Sequence, residues 1–394
     1  MIKSAITERM LFGVLEQFDE RIAYQSNPAR ADVFQIELKG ANRLGIEVDH
    51  AGPLLDVGVA ELNAPAVDHA VVQAADLAQH AADLSGAIGW QGAEYFERIV
   101  ANNTVGGKLV GIPWYTDAGI LYYRTDLLEK HGQAVPRTWN ELARVARHIQ
   151  QAEGRADLQG LSVQGAPVEG AVCTFLLPYW SQGKTLQDLE GRPTLDRAAA
   201  TRGLQQWLTL MDQGVIKRNA AEVKTPDTVN EFKTGKVLFA LNWSWAWDRL
   251  QKDADSRVRG QVAVMPLPAM DGGGSATCIG GWQWAVSAFS RHKAEAARLV
   301  QFMSTPQASQ FLAVQGALLP TYAEVYADPA VLAQVPWFAD AAAVVRHGRS
   351  RPVTARYGEV SDAIRSATNA VLARARSPED AAADVDSRLR RVMR

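Results

Sequence analysis

The sequence has 394 residues, 47% of them hydrophobic, with 41 Lys and Arg against 43 Asp and Glu, a net charge of −2. A chain of this length exceeds a typical single core, and its apolar content can fill two lobes. The even charge balance, without a long basic stripe, argues against a nucleic-acid partner, and no run reaches the roughly 20 apolar residues that cross a bilayer. Two cysteines, Cys173 and Cys278, cannot build a cysteine zinc site or a disulfide framework; one disulfide and two separate buried thiols both stay open.

In chain order, the start MIKSAITERMLFGVLEQFDER has charges scattered through its apolar residues and lacks the uninterrupted stretch of a secretory signal. Either a signal has been removed or the chain begins late. Leu11, Val14, Leu15 and Phe18 predict an amphipathic helix over 6–20, and 32–36 predict a buried strand. Signals weaken between 38 and 92, where His50, His69 and His80 are too far apart for a helical metal pair and read as core or solvent-facing histidines.

From residue 108 the pattern sharpens. Strands are expected at 108–113 and 120–123, then a helix from Trp139 to about Gln151 with Thr138 as its N-cap. Helices follow at 197–213 and 228–234, strands at 236–241 and 261–267, and a Gly-rich loop at 270–275. A helix spans 293–303, Pro306 starts another, and a charged amphipathic helix capped by Ser377 closes the chain at 378–393. Alternating strands and helices predict a layered, mainly parallel α/β architecture.

Candidate binding residues come from aromatic clusters. N-W-S-W-A-W (242–247) puts Trp243, Trp245 and Trp247 at alternate positions, and Trp282 and Trp284 follow a Gly-Gly. An indole has a broad apolar face and one N–H donor, which suits a sugar ring with its apolar C–H face and its rim of hydroxyls. A buried aromatic core is the alternative. In Trp114-Tyr115-Thr116-Asp117 the tyrosine and the carboxylate stand two apart, hence on one face of a strand; the alternative is an N-capping Asp117 with Tyr115 in the core. Gly281 removes a side chain where backbone approaches a ligand, although a tight turn would use the same residue.

Five ordered segments resemble a known family: IPWYTDAGILYYRTDLLEKHG (112–132), PRTWNEL (136–142), EFKTGKVLFALNW (231–243), GGWQWAVS (280–287) and GALLPT (316–321). They look like the extracellular solute-binding proteins of sugar ABC importers, most of all the trehalose/maltose branch, and the likeness is collinear over about residues 95–370. The resemblance implies an α/β, two-lobed periplasmic-binding-protein-like fold with a cleft for a disaccharide or short oligosaccharide, and hinge closure that delivers the sugar to membrane permease subunits. It also implies no catalysis, no cofactor or metal, a periplasmic or membrane-associated extracellular location, and a monomer.

Carried over by resemblance, sugar contacts fall on Tyr115, Asp117, Gly281 and Trp282, on Trp243 or Trp245, and on Arg351, with Arg356 second. A guanidinium there would donate a forked pair of hydrogen bonds to adjacent hydroxyls; an ordinary surface role is the alternative. Glu37, ending D-V-F-Q-I-E, stands where the branch usually has an aspartate. The lobes are expected at 1–118 with 263–304 and at 119–262 with 305–394, the chain crossing near 117–121, 262–268 and 304–306.

Three departures stand out. The family's opening strand is missing, so the first lobe has an unpaired central edge unless a segment within 45–59 replaces it. Residues 38–92 lack the W-P-G segment, and after Gln164-Gly165 the usual Tyr-Glu reads Val168-Glu169. Two rival readings follow: a binding-protein-derived interaction protein with a degenerate first lobe, or a glycoside hydrolase using Asp117 and Glu37 as its carboxylate pair. No nucleophile motif or phosphate loop supports the hydrolase.

Overall fold

The computed structural model describes the backbone of residues 22–26, 33–38 and 54–61, and residues 81–85, 100, 103–187, 194–352 and 356–392. The expected helix at 6–20 and the three early histidines lie outside these residues. In chain order the elements are β1 (Ile22–Ser26), β2 (Val33–Leu38), β3 (Leu54–Glu61), β4 (Thr104–Val105), β5 (Lys108–Leu109), β6 (Ile112–Arg124), α1 (Thr125–Lys130) and α2 (Trp139–Glu153). There follow β7 (Gln159–Ser162), α3 (Glu169–Ser181), α4 (Arg197–Asp212), α5 (Thr225–Lys233), β8 (Val237–Trp243), α6 (Ala246–Lys252), β9 (Val262–Met265) and β10 (Thr277–Val286). The last are α7 (Lys293–Met303), α8 (Pro306–Gly316), α9 (Pro329–Gln334), α10 (Phe338–Arg346), β11 (Gly348–Arg349), α11 (Tyr357–Leu372) and α12 (Pro378–Val392).

The chain divides into two compact units, Met1–Asn63 with Val72–Asp117 and Gly280–Ala339, and Ala64–Val71 with Ala118–Ile279 and Asp340–Arg394. Both β6 and β10 run from one unit into the other. The first division falls beside the expected position, but the second and third come later than 262 and 304. Physically, 263–279 stay with the second unit because β9 pairs with β6 from Leu121 to Arg124 and Ala269 exchanges backbone bonds with Arg137 and Trp139. Residues 305–339 stay with the first because Leu312 and Leu318 enter its core and Leu319 bridges Thr116.

In the first unit the antiparallel strands β1, β2 and β3 lead to β10, with Trp282 opposite Glu61 and Val286 opposite Val57, and β10 neighbours β6. β10 is therefore paired on both sides, and the strand beside it, β3, overlaps the 45–59 segment expected to replace a missing strand. These three pairings are antiparallel, against the expected parallel layering; β1, β2 and β3 follow one another in the chain, so pairing between neighbours reverses its direction at each step, and β10 joins them from a distant part of the sequence. The core of this unit joins Ile112, Trp114, Trp284 and Val286 to α7 and α8.

In the second unit β8 lies between β6, antiparallel, and β7, parallel. One apolar cluster packs α2 and α4 on this sheet. A second gathers α3, α11 and α12 around Trp243 and Cys278. The expected strands at 108–113 and 120–123 are instead a short β4–β5 hairpin followed by one 13-residue strand, since Ala118-Gly119 continues the ladder without a break. Helix α2 starts as expected, Thr138 Oγ1 accepting from Glu141 N at 3.1 Å.

Candidate functional site

In the first unit, β6 and β10 bring together four residues singled out in the sequence. Trp284 is buried (1% exposed) and tilts against Trp114 at 4.6 Å between ring centroids, which makes it core. Two positions earlier on the same face, Trp282 sits half-buried at the rim of that core. Tyr115 is also half-buried, edge-on to Trp114 at 5.2 Å. Both side chains pack against that core while remaining partly exposed.

Asp117 follows Tyr115 on one strand face and is 9% exposed. Burial pushes the Tyr326 phenol well above its ordinary range, and the charge of Asp117 adds to the shift. Tyr326 donates to Pro320 O at 2.9 Å. Gly281 has φ +130°, and a Cβ there would meet the Tyr115 carbonyl and come within 2.9 Å of Thr116 Cα. Its missing side chain lets β10 approach β6 closely at this point.

The second unit holds Trp243, Trp245, Arg351 and Arg356. Trp243 is 2% exposed and belongs to the core around α3 and α11, its carbonyl accepting from Tyr122 Oη at 2.8 Å. The Trp243 ring packs among the side chains of that cluster. Trp245, at the N-cap of α6, is half-buried.

Arg351 is likewise enclosed. It is 1% exposed and its Nη1 donates to Glu169 Oε1 at 2.8 Å, so the charge is held inside the unit. Its Nε and Nη2 are enclosed with no hydrogen-bond partner among the described residues. Arg356 reaches the surface, where Nε and Nη2 each donate to Glu359 at 2.7 Å. The Glu37 side chain lies outside the described residues; its backbone pairs with Ala23 and Leu54.

Glu169 entered the sequence analysis only as part of a departure from the family pattern, without a role of its own. Its carboxylate accepts from Arg351, from Tyr357 Oη and from Ser361 Oγ at 2.6 Å. The signal was available: it is the sole charged side chain in the 13-residue run EGAVCTFLLPYWS, all of it buried, and a buried carboxylate must be paired. Tyr357 and Ser361 meet it together because they stand one helical turn apart.

The model of the bacterial extracellular solute-binding proteins matches residues 52–310. The chain belongs to that family. A probable ABC transporter-binding protein of Deinococcus radiodurans is 39% identical over 332 residues, 80% of this chain and 77% of that one. Among solved structures, maltose-bound MalE3 of T. maritima is similar with a TM-score of 0.76 and 34% identity, covering 85% of this chain and 84% of that chain. The GacH receptor of Streptomyces glaucescens, solved unliganded and with acarbose, has a TM-score of 0.74 and 26% identity over 86% and 83% of the two chains. As a solute-binding protein the chain is a transport component and not an enzyme. No helix among the described residues is long and apolar enough to cross a membrane.

Proposed function

We propose that this solute-binding protein captures a disaccharide or short oligosaccharide of the trehalose/maltose type and delivers it to the permease subunits of an ABC importer, acting as a monomer outside the cytoplasmic membrane. The observation that carries the reading is the pair of half-buried rings, Tyr115 and Trp282, at the rim of the first unit's core beside the buried carboxylate of Asp117. Rings of this kind stack on sugar C–H faces while a carboxylate accepts from hydroxyls. The maltose and acarbose complexes of the similar proteins support a sugar as the solute.

The contacts assigned are Tyr115, Asp117, Gly281 and Trp282 from the first unit and, from the second, Trp243 or Trp245 and Arg351, with Arg356 as second choice, and Glu37 as a further carboxylate. Gly281 acts by seating Trp282 and Tyr115 on neighbouring strands. Contacts from both units exist together only when the hinge closes, so the sugar shifts the population toward the closed form that the importer reads. Micromolar affinity corresponds to about −8 kcal/mol, within reach of two stacked rings and a few charge-assisted hydrogen bonds.

Tryptophan fluorescence titrated with maltose, trehalose, sucrose and maltotriose, with the products analysed afterwards, tests the reading. A saturable change with at least one sugar and no product is expected. Silence across the panel would favour an interaction protein with a degenerate first lobe, and released monosaccharide would favour a hydrolase.

A further inference from the structure

Cys173 and Cys278 stand 105 residues apart in sequence, yet both are enclosed in one apolar cluster of the second unit, 5% and 0% exposed. Two separate constraints bring them together. Cys173 lies one helical turn after Glu169 and so shares its face of α3. Cys278 pairs in parallel register with Arg349 of β11, two residues before Arg351. The Glu169–Arg351 ion pair therefore pins α3 to the segment that follows the partner of Cys278, and both thiols lie in the apolar cluster that packs there.

We propose that Cys173 and Cys278 are a disulfide site, closed by thiol–disulfide exchange in the exported chain and stapling α3 to β10. The family is extracellular, where oxidising conditions favour disulfides. The oxidant is an external disulfide, either an oxidised dithiol protein or oxidised glutathione. The thiolate of one cysteine attacks it and releases one external thiolate; the second cysteine then attacks the mixed disulfide and releases the other. Two electrons and two protons pass to the external pair, which leaves as two thiols.

Burial raises the Cys278 thiol well above its ordinary range, with Cys173 adding to the shift and the Arg351 charge opposing it. A desolvated thiol ionises poorly and reacts slowly. Exchange therefore completes as the chain folds, before α3 and β10 close over the pair, and the folded reduced protein resists oxidation. This site is independent of the proposed sugar contacts.

The test refolds the full chain from denaturant with reduced or oxidised glutathione, then alkylates under denaturing conditions and measures intact mass. With oxidised glutathione, a chain lighter by two hydrogens and without alkyl groups is expected, reverting on reduction. Closing a loop of this length should also raise the unfolding midpoint by about 5 °C or more, a rise absent from the C173S/C278S double variant. Two alkylated cysteines, a glutathione adduct on each, or a disulfide-linked dimer would each overturn the proposal. So would an equal midpoint rise in the double variant.

Discussion

Arg351 Nη1 stands 2.8 Å from Glu169 Oε1, and neither side chain has any surface open to solvent. Removing one partner strands the other charge inside the core, while removing both leaves two apolar-compatible spaces. Glu169→Ala or Arg351→Ala should cost about 3–5 kcal/mol, and E169M/R351M much less than the sum of the two. Urea unfolding of the three variants checks this. Additive losses would mean that the pair contributes nothing as a pair.

Trp282 and Trp284 share a strand face but should behave oppositely. Trp284→Ala opens a cavity against Trp114 and should destabilise the chain by about 3–5 kcal/mol. Trp282→Ala should leave most of the stability intact and weaken sugar binding roughly tenfold to a hundredfold, by about 1–3 kcal/mol. Calorimetric unfolding and titration on the same two variants separate these effects. An unchanged dissociation constant in the Trp282 variant would remove it from the site.

At Gly281 a methyl group meets the Tyr115 carbonyl, and φ +130° is a region that side chains avoid. Gly281→Ala should therefore lower stability by about 1–3 kcal/mol and disturb sugar affinity by moving β10 from β6. Thermal unfolding with a parallel binding titration reads both.

Glu153 provides a pH signature. Hydrogen bonds from Lys130 at 2.7 Å and His131 at 2.5 Å hold its carboxyl at about 2, against an ordinary 4.5. Because the folded form binds its proton later than the unfolded chain, the stabilisation is complete above about pH 4.5 and disappears as pH falls toward 2. Glu153→Gln should flatten the stability profile within that window and leave its slope above pH 5 unchanged. A wild-type slope across pH 2–4.5 in this variant would assign the effect to other acids, such as Asp196 and Asp362, whose values are also lowered.

Local pattern was enough for the amphipathic helices. Helix α7 spans Lys293–Met303 as its apolar spacing requires, α2 begins after Thr138, and α12 begins after Ser377, whose Oγ accepts from Asp380 N at 3.1 Å. The aromatic and carboxylate of W-Y-T-D could be placed on one strand face for the same reason: periodicity reports which side chains share a surface.

Tertiary structure decided what periodicity does not encode. Helix α3 is buried on every side and carries Pro178 in its interior, so it shows no stripe and was not anticipated. Trp243 and Trp245 are chemically equal in sequence, and only the packing of α3 and α11 around β8 encloses the first and leaves the second half-buried. Glu169 and Arg351 lie 182 residues apart, with no local signal linking them. The sequence by itself determined the solute-binding family and the shared strand face of Tyr115 and Asp117, whereas the strand carrying Trp282, β10, was not among the strands expected. Which tryptophan and which arginine are sealed inside was decided by long-range packing, because burial depends on neighbours brought in from distant parts of the chain.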